Sequence, residues 1–71
     1  MTIGDRLKQL RLEHQYTLKY VGKKIGTTKQ TVFKYEAGIT ANIPYTRIIL
    51  LARLYDVTPV YIMGWEEGEL L

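Results

Sequence analysis

Within TLKYVGKKIGTTKQTVFKYEAG, the stretch from Thr17 to Gly38, four residues stand out for their chemistry. Lys29, Gln30, Phe33 and Lys34 fall on one side of a short helical pattern, and Val32, Tyr35 and Glu36 fall on the other. The first set is rich in donors. A glutamine amide pairs bidentately with adenine, and a lysine ammonium donates to guanine O6 and N7, each good pair discriminating by ~1–3 kcal/mol. Polar side chains of this kind near a helix N-terminus suit the major groove of duplex DNA. Phe33 fits in one of two ways: it meets thymine methyls, or it covers neighbouring apolar surface.

The surrounding residues are those needed to hold such a helix. Leu18, Val21, Gly22 and Ile25 lie at i, i+3, i+4 and i+7, one face of a preceding helix. Gly26 supplies a left-handed turn without Cβ penalty, and Thr28 then caps the second helix. Gly22, costing about 0.5–1 kcal/mol relative to Ala in mid-helix, signals close approach of that second helix. Two short helices and a tight turn, closed by Gly38, make the pattern of a DNA-reading helix-turn-helix.

Upstream, Thr2 and Asp5 form a capping box that opens a helix from Ile3 to His14, with Ile3, Leu7 and Leu10 as its buried stripe. Gln15–Tyr16–Thr17 connects it to the next helix, which Thr17 caps. Downstream, ITANI (39–43) is a loop, and Pro44 suits the first turn of a fourth helix. There Ile48, Leu51, Ala52 and Tyr55 share a face that Ile49, Leu50 and Leu54 widen, which makes this the most buried helix. Asp56 ends it. Thr58–Pro59 starts a short fifth helix, Val60 to Met63, stopped by Gly64. The expectation is an all-α, five-helix domain over 1–65, with Trp65 packing back on it. Residues 66–71 read as an acidic C-terminal tail or the start of a linker.

The 71 residues suffice for one small domain. There are no cysteines, which excludes disulfides, zinc ribbons and thiol catalysis, and fits the cytoplasm better than secretion. No apolar run reaches membrane-spanning length, and the N-terminus lacks a signal-peptide layout. Net charge is +3, unevenly spread: ten bases against Asp5, Glu13 and Glu36 leave +7 before Asp56, and four acids without a base leave −4 from there on. A basic stretch through Lys19, Lys23, Lys24, Lys29 and Lys34 is either a solvated face or a nucleic-acid footprint, and its coincidence with the helix-turn-helix favours the second. Phosphate contacts are expected from helix N-termini and nearby polar groups. Those are Thr17, Lys19 and Lys23 at the second helix and Asn42, Tyr45, Thr46 and Arg47 at the fourth, each alternatively an exposed bystander. His14 is a lone histidine with no base–nucleophile or metal partner near it, and no phosphate-cradling glycine loop exists, so an enzyme, cofactor, metal or small-molecule ligand is not indicated.

Taken together, IGTTKQTVFKYEAG, the NIP of Asn42–Pro44 and LARLYDVTPVYIMGW resemble the Xre family of lambdoid phage repressor and Cro-like DNA-binding domains, over about Ile3 to Trp65. The last run looks like repressors of phages and prophages of Gram-positive bacteria, in which it leads into a linker and second domain. The resemblance implies that Lys29, Gln30 and Lys34 read bases and that Thr28 at the cap touches a thymine methyl. It also pairs Glu36, an inward carboxylate that is costly if unpaired, with Arg11 near the end of the first helix. The chain departs from the family pattern at Leu18, where glutamine is common, at Phe33, where a polar residue is usual, and in a longer loop from Gly38 to Pro44. Leu18 continues the apolar face of Val21 and Ile25 and reads as core.

These features imply a homodimeric transcription regulator, a repressor, that binds a palindromic double-stranded DNA operator in a bacterial or phage-infected cell. The alternative is a protein-interaction module, antitoxin-like, that keeps the fold with weak DNA use; Leu18 and Phe33 would be its apolar contact patch.

Overall fold

The computed structural model describes residues 1–64 and, among them, folds into five α-helices with no strand. They are α1 (Ile3–Glu13), α2 (Leu18–Lys24), α3 (Lys29–Ala37), α4 (Tyr45–Tyr55) and α5 (Pro59–Met63). Four begin on a threonine. The hydroxyls of Thr2, Thr17, Thr28 and Thr58 accept from the backbone N–H of Asp5, Tyr20, Thr31 and Tyr61 at 3.0, 3.0, 3.3 and 3.1 Å. Each such cap contributes about 0.5–2 kcal/mol. At α1 the box is complete, because the Asp5 carboxylate accepts from the Thr2 amide at 3.2 Å.

The fourth helix starts differently from the sequence expectation. Pro44 lies just outside it as the cap, with an extended ψ of 138° and no side-chain cap bond. Its carbonyl accepts from Arg47 and Ile48, so the first turn begins at Tyr45. Gly26 and Gly38 adopt φ of 77° and 76°, the left-handed turns that separate α2 from α3 and end α3. Asp56 does the same after α4 at φ 55°.

α1 and α2 both pack on α3, α4 packs on α5, and α5 returns to α1. The core they enclose holds Leu7, Leu10, Val21, Ile25, Val32, Tyr35, Ile48, Leu51, Ala52, Tyr55 and Ile62. The expected face of α4 is buried throughout, although Leu50 is exposed and Ile49 and Leu54 only half-buried. In α1 the stripe is shifted. Ile3 is half-buried and Gly4 is buried in its place, because α1 crosses the end of α3 there: a Cβ on Gly4 would lie 2.7 Å from the Tyr35 carbonyl oxygen and closer still to that of Glu36. Gly22 serves the same end at the turn, where a Cβ would meet the Thr28 carbonyl carbon at 2.9 Å. Trp65 and the tail expected over 66–71 lie outside the described residues.

Candidate nucleic-acid interface

α3 is gripped on one side. Val32, Tyr35 and Glu36 are its buried residues, and two arginines from other helices fix the polar ends. Arg11 of α1 meets Glu36 in a bidentate pair, Nε donating to Oε2 at 2.8 Å and Nη2 to Oε1 at 3.1 Å. Its Nη1 donates to the Tyr16 carbonyl at 3.0 Å, so one guanidinium ties α1, the α1–α2 connection and α3 together. The hydrogen bond to Glu36 raises the Arg11 pKa above its ordinary value, more than burial lowers it. Both side chains are largely out of water, at 12% and 5% exposure. Arg47 of α4 donates from Nη1 to the Tyr35 hydroxyl at 2.7 Å, a second tie. Burial, then the charge of Glu36, pushes the Tyr55 phenol well above its ordinary pKa against the opposing pull of Arg11, so it stays neutral.

Lys29, Gln30, Phe33 and Lys34 all face solvent. None of their side chains has a hydrogen-bond or ion-pair partner among the described residues. Lys29 joins Lys19, Lys23, Thr27 and Thr28 around one depression between α2 and the start of α3. Three ammonium groups on that rim concentrate positive potential where the helix N–H groups also point. The Thr28 hydroxyl is occupied with capping, 3.3 Å from the Thr31 amide and 3.2 Å from its hydroxyl, and the residue is exposed.

The remaining polar candidates divide. Thr17 caps α2 and is exposed, as are Lys19 and Lys23. Asn42, Tyr45 and Thr46 are exposed around the start of α4, Tyr45 by 60%. Arg47 is half-buried, with one N–H committed to Tyr35 and the rest of its five donors without a partner among the described residues. Leu18 is half-buried and packs against the core. Lys24, inside the basic run, sits 5.4 Å over the Tyr20 ring rather than on the rim. His14 caps the end of α1, its Nδ1 donating to the Leu10 carbonyl at 2.8 Å and its ring 5.3 Å from that of Tyr55.

Two features escaped the sequence. The Arg47–Tyr35 tie depends on how α4 meets α3, and no local pattern announces it. A second depression gathers Lys8, Arg11, Leu18, Phe33, Glu36 and Ala37 from three helices. Among them, Lys8 carried no signal beyond its charge.

Comparison with known proteins places this geometry. A family model described as helix-turn-helix matches residues 7–62. An uncharacterized HTH-type transcriptional regulator of Bacillus subtilis, YobD, is 42% identical over 60 residues, 84% of this chain but 53% of that protein; the chain thus spans about half the length of this relative. Among solved structures, the N-terminal DNA-binding domain of SinR from Bacillus subtilis superimposes with a TM-score of 0.81 at 25% identity, covering 92% of this chain and 94% of that one. The P22 c2 repressor, in complex with a synthetic operator, shares the fold at 17% identity, with a TM-score of 0.84 over 93% of this chain and 98% of that one.

Proposed function

As the chain belongs to the Xre-type helix-turn-helix family, whose model it matches over most of its length, we propose that it is a sequence-specific DNA-binding transcriptional regulator of the repressor type. The reading involves no catalysis. α3 enters the major groove, Gln30 and Lys34 at the centre of its outward face and Lys29, Phe33 and Thr28 at its edge meet base edges, and the phosphates are met on both sides. Lys19, Lys23 and Thr17 contact one strand of the backbone, and Asn42, Tyr45, Thr46 and the remaining donors of Arg47 the other. Two copies on a palindromic operator set their α3 helices one DNA turn, about 34–36 Å, apart. Repression follows from occupying promoter DNA.

The observation that carries this is the division of α3. Its inner residues are locked by Arg11 and Arg47, while its outer lysines and glutamine have no side-chain partner among the described residues. Lysine and glutamine side chains held ready on a rigid helix serve readout; left on an ordinary surface they need no such bracing. Support also comes from the relatives, named as a transcriptional regulator and a DNA-binding domain.

The test is selection of bound sites from a random duplex library, read for sequence, symmetry and half-site spacing. A palindromic motif with half-sites about one turn apart is expected; retention of no preferred sequence overturns the reading. A second reading, a protein-interaction module, is favoured by the 53% exposure of Phe33 beside Leu18. Measurable affinity for random duplex at low salt separates the two, since a pure protein adaptor shows none.

A further inference from the structure

A large apolar ring stands on a face otherwise made of lysine and glutamine. Phe33 is 53% exposed, and it shares its depression with Leu18, Ala37, Lys8 and the Arg11–Glu36 pair. Of the three charges there, those of Arg11 and Glu36 are spent on each other and on the Tyr16 carbonyl. What remains for an incoming group is apolar surface from Phe33, Leu18 and Ala37, bordered by the cation of Lys8. An apolar group suits that surface, carried by something anionic enough to approach Lys8 there and the exposed Lys29 and Lys34 on the same helix as Phe33. The major groove offers one such group, the C5-methyl of thymine.

Resting on the DNA-binding reading above, we infer that Phe33, backed by Leu18, is a specificity-determining residue that reads a pyrimidine C5-methyl. Gln30 lies three residues earlier on the same helix, about 4.5 Å along its axis. The methyl therefore belongs to a base pair one or two steps from the one that Gln30 contacts. Cytosine methylated at C5 presents the same group at the same place in the groove, so the site accepts 5-methylcytosine in place of thymine for this contact.

The experiment uses the tightest duplex obtained by random selection with this chain. Each thymine is replaced singly by deoxyuridine, which removes the methyl and keeps the base pair. Affinity is expected to fall about fourfold at one position in each half-site, the equivalent of ~0.8 kcal/mol for burying one methyl-sized group. Phe33→Ala is expected to bind the thymine and deoxyuridine duplexes equally well while melting at the parent's temperature. Replacing that thymine by cytosine and then methylating the cytosine is expected to restore about fourfold. Deoxyuridine without effect at every position, or discrimination retained by Phe33→Ala, overturns the inference while leaving sequence-specific binding intact. Absence of any selected sequence overturns the DNA-binding reading first, and this inference with it.

Discussion

The two sides of α3 are made from the same nine residues and have opposite economies. On the inner side, every polar group is answered. Glu36 is held by two nitrogens of Arg11 and the Tyr35 hydroxyl by Arg47, all across helix boundaries. On the outer side, the side chains of Lys29, Gln30 and Lys34 have no hydrogen-bond or ion-pair partner among the described residues. Inner residues therefore set where the helix lies, and on the proposed reading outer residues set what it recognises. A substitution should disturb one property and spare the other.

The strongest way to break that division is to unpair the inner ion pair. Arg11→Ala or Glu36→Ala leaves one buried charge without its partner, and urea unfolding is expected to show a loss of ~3–5 kcal/mol for either. Replacing both residues by apolar ones of similar size should recover most of that stability, since the pair orients more than it stabilises. Equal losses in the single and double variants would place the value of the pair elsewhere. Next in size is Gly4→Ala. Its new methyl meets the carbonyl oxygens of Tyr35 and Glu36, which are backbone and cannot swing aside. A loss of ~1–3 kcal/mol is expected on thermal unfolding, together with weaker binding of every duplex as α3 is displaced.

That Gly4 has such an effect was not legible in the sequence, and the reason is physical. Caps, left-handed glycines and helical periodicity are local, so Thr2, Thr17, Thr28, Thr58, Gly26 and Gly38 announce four of the five helices by their own chemistry, and the apolar face of α4 announces the other. The same periodicity tells which side of α3 turns outward. Crossings are not local. Gly4 looks like an ordinary helical glycine until α1 is laid over the end of α3, and Arg47 looks like a free surface cation until Tyr35 is brought beneath it. Leu50 reads as core by type, yet lies on the α4 face that no other helix covers among the described residues. The pairing of Arg11 with Glu36, 25 residues apart, came from family resemblance alone; the periodicity showed only that Glu36 faces inward and needs a partner.

Outer-side variants sharpen the comparison from the other direction. Gln30→Ala is expected to leave unfolding within ~0.5 kcal/mol of the parent, as for other exposed substitutions. Competition between operator variants should show preference at one base pair relaxed by ~1–3 kcal/mol. Lys23→Ala should weaken all sequences about equally and lower the slope of log affinity against log salt by about one, for the loss of one phosphate contact. Identical profiles for these two variants would contradict the assignment of one to bases and the other to backbone.

The smallest expected effect lies at the far end of the framework, at Asp5. The hydrogen bonds from Thr2, backbone first and side chain second, hold its carboxyl below the ordinary value of 3.8, aided by the N-terminal amine and Lys8 against a small burial penalty. A carboxyl whose folded pKa is depressed contributes stability that is fully present above its unfolded value and is lost as pH falls through the folded one. Asp5→Asn should therefore be slightly less stable than the parent at neutral pH, with the gap closing below about pH 4 as the parent takes up its proton. Thermal unfolding of both chains across that range measures it. A gap that persists unchanged into strong acid would mean that the α1 cap is held by the shape of the side chain rather than its charge.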